Sequence, residues 1–314
     1  MTEPTQDPSW ERKLIERLAE SAQTEQRRSR RWNVFFRFLF FAYLVALLAL
    51  FVDWSFLSKE VTKEKHTARV ELKGVIAEGS DGAAEKVNKL LRAAFKDKNT
   101  KGVVLEINSP GGTPVQASYI YDEIKRLREE YPDIKLYAVV TDICASGGYY
   151  VAAAADEIYA APSSIVGSIG VRLDNFGLQG LLEKIGVENR TITAGENKAI
   201  LDPFQPLEPE QRAHLEGMLA RIHQQFIDAV KAGRGDRLKP AEELFSGLIW
   251  TGDEAVAQGL VDGLRSTGQV ARDLIGAETI VTYEREKSLL EQLTDASTDY
   301  SVRLFSGILR PGLQ

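Results

Sequence analysis

The segment Asp142-Ile143-Cys144-Ala145-Ser146-Gly147-Gly148-Tyr149-Tyr150 runs from an apolar strand through a small-residue turn into the alanine-rich stretch Val151 to Ala155. A hydroxyl on such a turn sits at a helix N-terminus, and the N–H of Gly147 is free to hold a developing oxyanion. The glycines allow a substrate backbone to come close. Taken alone the signal is weak, because serine at a strand-to-helix turn is more often an N-cap than a nucleophile. Cys144 is a second nucleophile by type, but it belongs to the apolar end of the strand and reads as core.

A nucleophilic serine needs a base. The histidines His66, His214 and His223 are far apart. The last two fall on one amphipathic helix with no obvious carboxylate partner, which fits an α/β-hydrolase poorly. Lysine is the other choice. Lys198 lies in Thr193-Ala194-Gly195-Glu196-Asn197-Lys198-Ala199-Ile200-Leu201, between apolar neighbours. A lysine titrates near 10.4, so a base working near neutrality needs a fall of roughly three units, which burial can supply. A loop lysine is ordinarily solvated, and spacing does not decide between the two.

These residues have to be held by alternating strands and helices. Val70 to Ile76 predicts a strand, Gly82 to Lys96 a helix with Val87, Leu90, Leu91 and Ala94 on one face, and Val103 to Ile107 a buried strand. The turn Asn108-Ser109-Pro110-Gly111-Gly112 closes that strand. A helix over Val115 to Tyr131 and a strand over Lys135 to Val140 come next. The pattern predicts an open α/β architecture of crossover units. Glu208 to Lys231 predicts a long helix whose stripe Leu215, Met218, Leu219, Ile222, Phe226, Ala229 and Val230 is core.

The 314 residues carry 44% apolar and 27% charged positions, which excludes a polytopic membrane protein and a disordered chain. A net charge of -6 argues against a general nucleic-acid binder. One cysteine and three scattered histidines leave no disulfide framework and no metal site, and no cofactor is expected. Val34 to Val52 is apolar on every face apart from Arg37 and matches a bilayer's thickness. Five arginines from Arg27 to Arg37 precede mixed charges at Lys59 to Lys65, so the positive-inside bias places the N-terminus in the cytosol. The expected layout is a polar cytosolic extension (1–33), a membrane anchor (34–52), a linker (53–67), a catalytic domain (68–280) and a tail (281–314).

In order, Ile107-Asn108-Ser109-Pro110-Gly111-Gly112, Ala145-Ser146-Gly147-Gly148-Tyr149-Tyr150, Gly167-Ser168-Ile169-Gly170-Val171 and Lys198 before Pro203-Phe204 resemble the signal peptide peptidase A family. Phe245-Ser246-Gly247, Gly252-Asp253-Glu254-Ala255 and Gly259-Leu260-Val261-Asp262 extend the resemblance, which runs from about Val70 to Leu274. These are bacterial membrane-anchored Ser-Lys proteases, and the chain is similar to their short, single-repeat form. The resemblance implies the Clp protease and crotonase fold of repeated ββα units. It implies Ser146 as nucleophile, Lys198 as general base and Ser168 as the hydroxyl that orients the lysine. It also implies backbone N–H groups of Gly112 and Gly147 as the oxyanion hole. The implied substrates are remnant signal peptides and other apolar peptides, cut by a homo-oligomer on the extracytosolic side of the bacterial inner membrane. Two other readings keep the fold: a crotonase-type enzyme acting on coenzyme A thioesters, and a non-catalytic membrane scaffold.

Overall fold

The computed structural model describes residues 30–45, 64–240 and 242–284, together with residues 26 and 28. Residues 1–60 with 286–314 form one unit and Val61–Arg285 another. In the first, residues 30–45 are helical and exposed. The expected anchor therefore overlaps a helix at 34–45, while 46–52 lie outside the described residues. Among the described residues, no helix is long and apolar enough to cross a membrane.

The second unit is built on a sheet. Its strands are β1 (His66–Lys73), β2 (Thr100–Ser109), β3 (Lys135–Ala145), β4 (Glu157–Ala160), β5 (Ile165–Gly167), β6 (Ile249–Thr251), β7 (Gly263–Leu264) and β8 (Ile280–Tyr283). The main path runs β6-β5-β3-β2-β1-β8, with β4 beside β3 and β7 beside β4. Every pairing is parallel except β5 with β6. Parallel strands need crossovers. Helices α1 (Ala84–Lys96) and α2 (Pro114–Glu130) supply the first two.

Alternation along the strands sorts side chains between two faces. Val103, Leu105 and Ile107 of β2 join Val70, Leu72, Leu136 and Ala138 beneath α1 and α2. Val104 faces the other way, with Tyr137, Val139, Tyr159 and Val270. On α1, Val87, Leu91, Ala94 and Phe95 face the sheet with the 3.6-residue spacing of a helix, and Leu90 packs at their edge. The sheet starts earlier and ends later than the sequence suggests. His66 and Thr67 are already buried in β1, and β8 carries the fold to Tyr283.

Strand β3 does two jobs. Its first half pairs with β4, from Tyr137 to Val140, and its second half with β5, from Ile143 to Ala145. The change comes at a bulge, where Ile107 pairs with Val140 but Ser109 with Cys144. A bulge bends a strand and re-aims the residues beyond it. The bend at β3 re-aims Ser146, the residue just past its end.

The long helix α5 (Pro209–Arg234) comes after a shorter α4 (Gln179–Ile185), and the six-residue α3 (Gly147–Ala152) opens directly after Ser146. Only the C-terminal half of the expected α5 stripe is core: Phe226, Ala229 and Val230 are buried, but Leu215, Met218, Leu219 and Ile222 only partly so. The first half of α5 is not packed as core because the chain before it is not. No residue from 171 to 225 is buried. At its other end, α5 is anchored by Arg234, whose guanidinium forks onto Asp262 at 2.7 and 3.0 Å. Asp262 also accepts the Ile158 N–H at 2.7 Å, tying α5 to β4. Burial pushes the Asp262 carboxyl up, but the hydrogen bonds from Arg234 and Ile158 and the nearby Arg237 outweigh it and hold it below the ordinary range.

Candidate active site

Ser146 stands between β3 and α3 with φ 51° and ψ -125°. An L-residue enters that region only when its surroundings force it, at about 1–3 kcal/mol. The forcing contacts are visible. The Ser146 N–H donates to the Gly167 carbonyl at 2.8 Å, and its own carbonyl accepts the Tyr150 N–H at 3.0 Å, closing the first helical turn. Gly147 and Gly148 are buried directly behind it.

The turn after β2 faces this nucleophile. The buried Ser109 hydroxyl donates to the Gly74 carbonyl at 2.6 Å and accepts the Gly111 N–H at 3.1 Å, pinning the turn to the end of β1. Gly111 has φ 98°, and a Cβ there would come within 2.7 Å of the Gly147 nitrogen and of the Ser146 Cβ. Gly112 lies in an isolated bridge to Ile76, where a Cβ would collide with the Ile76 carbonyl oxygen at 2.0 Å. That bridge uses the Gly111 carbonyl and the Thr113 N–H, so the Gly112 N–H is left over. The Gly147 N–H opens α3 and has no intrahelical acceptor. Among the described residues neither amide donates to a protein group. The two lie close together: a Cβ on Gly147 would be 3.2 Å from the Gly112 nitrogen. A hydroxyl beside two spare amide donors can attack a carbonyl carbon and have the resulting oxyanion held.

All four of Ser146, Gly147, Gly112 and Ser168 line one cavity of about 610 Å³. Ser168 also has positive φ, 53°, and its N–H donates to the Leu248 carbonyl at 2.7 Å. Gly167 before it has φ 110° and packs so closely under Trp250 that a Cβ would approach the ring to 2.7 Å. The apolar wall comes from Val115 on α2, Tyr150 on α3, and Ile222 and Phe226 on α5. Phe226 packs against Tyr150 at 5.0 Å between ring centroids, and Tyr150 against Tyr121 at 5.3 Å.

Lys198 is placed elsewhere. It is exposed, on a turn closed by its own N–H to the Gly195 carbonyl at 3.1 Å, and it does not line the cavity. None of the histidines lines the cavity either. His214 is exposed, and His223 is half-buried with Nε2 3.1 Å from the Ile169 carbonyl, an oxygen that can only accept, so Nε2 carries the proton there. Cys144 is fully buried and its thiol is pushed up by that burial, which keeps it out of the chemistry. Among the described residues no cluster of histidine, cysteine and carboxylate could hold a metal ion. The cavity lining also includes Tyr150 and Arg172, to which the sequence assigns no role. Tyr150 lies one helical turn after Ser146, a spacing that could have singled it out; Arg172, two residues past Gly170, carries no such signal.

The description of peptidase family S49 matches residues 129–278, and that of Clp protease matches residues 65–166. A Synechocystis protein named "Putative protease slr0021" is 36% identical over 248 residues, covering 77% of this chain and 86% of that one. The chloroplastic serine protease SPPA of Arabidopsis thaliana is 36% identical over 187 residues, 59% of this chain and 27% of its own length. A Brucella abortus protein named Na(+)/H(+) antiporter NhaA is 49% identical over 187 residues, 60% of this chain. The chain spans only about a quarter of the Brucella relatives. The Synechocystis likeness runs through most of both chains, and the S49 match includes the Ser146 turn; the chain belongs to peptidase family S49, with the SppA-type proteases.

Proposed function

We propose that this protein is a membrane-anchored serine endopeptidase that uses Ser146 and Lys198 to cut apolar peptides, remnant signal peptides among them. The observation that carries the reading is Ser146, held at positive φ beside the unused amides of Gly112 and Gly147 in one apolar-walled cavity. The Ser146 Oγ attacks the scissile carbonyl carbon while its proton passes to the uncharged Lys198 Nζ. The oxyanion is held by the Gly112 and Gly147 N–H groups. The carbon–nitrogen bond then breaks as the Lys198 ammonium protonates the leaving amine. Water, deprotonated by the Lys198 amine, then attacks the acyl carbon, and as the ester bond breaks the Lys198 ammonium returns a proton to the Ser146 Oγ. Ser168 orients the amine.

The exposure of Lys198 bears on how the dyad forms. Its segment buries nothing within one chain, and it presents Leu173, Phe176, Leu181 and Ile185 to solvent. A second copy is the partner that would cover this surface and place a Lys198 beside a Ser146. In this reading residues 34–52 anchor the chain in a bacterial inner membrane, with the peptidase unit outside the cytosol. The name of the Arabidopsis relative, a serine protease, supports the nucleophile type.

The test is turnover of apolar peptides by the full chain in neutral detergent, with Ser146→Ala and Lys198→Ala. Each variant alone is expected to be inactive, and a mixture of the two to regain activity by forming some sites with both residues intact. Activity persisting in Lys198→Ala would remove lysine as the base. Two inactive variants that never complement would put both residues of each site in one subunit.

A further inference from the structure

The cavity wall is neutral with one exception. Arg172 is the one charged side chain among the described residues that line it, at the mouth, two residues beyond Gly170. Its partner is local: Nε and Nη2 reach Asp174 Oδ2 at 3.1 and 2.6 Å. Within a single chain both groups are open to water, with 85% of the Arg172 side chain and 60% of the Asp174 side chain exposed. An exposed pair of this kind is worth little, because water screens it and ordering two side chains costs entropy. The Arg172 fork is therefore available for exchange. Asp174 meets the fork with Oδ2 alone, whereas a carboxylate arriving with a peptide can offer it both oxygens. Elsewhere the lining offers a carboxylate neutral donors only, with no second cation to pair with its charge.

We infer that Arg172 is a specificity-determining residue of this site, and that it selects peptides that place a carboxylate at the cavity mouth by exchanging Asp174 for it. The inference rests on the peptidase reading above and deepens it. Two sources supply that group: the C-terminal carboxylate of a peptide, and an acidic side chain. The first has a consequence for the order of reactions. A free carboxylate is the end left by an earlier peptide-bond hydrolysis, so selection for it favours peptides already released from a precursor over intact chains. Asp174 then acts as an internal competitor, holding Arg172 when no substrate is bound.

The experiment uses the full chain in neutral detergent with apolar octapeptides of one sequence, ending in a free acid or an amide. A second pair has the amide end and differs by Asp against Asn at the penultimate position. The acid forms are expected to have kcat/KM about three- to tenfold above their neutral partners, the range of a partly exposed charged hydrogen bond. Arg172→Gln should remove the preference, Asp174→Asn should raise it, and 0.5 M salt should reduce it. A preference in the first pair only identifies the C-terminal carboxylate, and one in the second only an acidic side chain. The same peptides, fluorescently labelled, are titrated onto Ser146→Ala, so that the preference is read from binding whether or not turnover occurs. Absence of turnover with a clear acid preference in binding would count against the peptidase reading and leave this inference standing. Equal kcat/KM and equal binding for acid and neutral forms, or a preference that survives Arg172→Gln, would overturn it.

Discussion

Gly147→Ala separates the oxyanion hole from the fold. Gly147 is a helical residue without positive φ, so alanine adopts its backbone conformation without strain. The added methyl carbon would sit 3.2 Å from the Gly112 nitrogen, 3.4 Å from the Ala117 Cβ and 3.6 Å from the Gly111 Cα. The contact with the Gly112 nitrogen is tight, so the turn has to give slightly. Against that, alanine gains about 0.5–1 kcal/mol over glycine in a helix. Stability is therefore expected to change by less than about 1 kcal/mol. Chemistry is a different matter. An oxyanion has to approach to about 2.7–3.1 Å from both donors, and the methyl occupies space beside one of them. Loss of one such donor lowers kcat by about 10²–10³, or about 2.7–4 kcal/mol in the barrier. The assay is peptide turnover under saturating substrate, beside thermal unfolding of the same preparation. A variant that keeps more than a third of parental kcat would refute the placement of the oxyanion between Gly112 and Gly147. One that loses activity only because it unfolds would refute the packing argument.

The same geometry leads to three more expected outcomes. Ser146→Gly should abolish turnover and raise stability by ~1 kcal/mol, because glycine accepts the φ 51° backbone without the strain serine carries; a lower unfolding midpoint would contradict this. Asp262→Asn leaves Arg234 buried without its counter-charge and should cost about 3–5 kcal/mol in denaturant unfolding, whereas an unchanged midpoint would show the pair to be dispensable. Hydrogen bonds from Arg126 and Arg92, against the opposing effect of burial, bring the Glu123 carboxyl down to about 2 from its ordinary 4.5. Its folded value lies below its unfolded one, so its contribution is present above pH 4.5 and lost as pH falls toward 2. Unfolding midpoints should drop across that window, and Glu123→Gln should flatten the drop; parallel curves for the two proteins would count against it.

Much of the site is legible in the residues themselves. Glycine at 112 is demanded by a carbonyl 2.0 Å from any Cβ, and such a demand shows in sequence as the run Ser109-Pro110-Gly111-Gly112. The small residues around Ser146 announce a tight strand-to-helix turn for the same reason. Periodicity gave the helices because a half-buried helix repeats at 3.6 residues wherever it packs. Val87, Leu91 and Ala94 of α1 obey that rule. The expectation for α5 held only in part. An apolar stripe shows that a face can be covered, but not by what, and the Leu215 to Ile222 half is only partly covered within this chain.

Sequence alone therefore determined the local chemistry: a serine on a glycine turn, a second glycine turn to face it, and strands and helices in alternation to carry both. Only the tertiary structure decided which groups meet. The β3 bulge that turns Ser146 toward β5, the packing of Phe226 on Tyr150 in the cavity wall and the position of Arg172 at its mouth all depend on residues distant along the chain. Local patterns record what each segment prefers by itself. Contacts between segments depend on how the whole sheet twists and which faces its helices cover, and no single stretch of sequence contains that information.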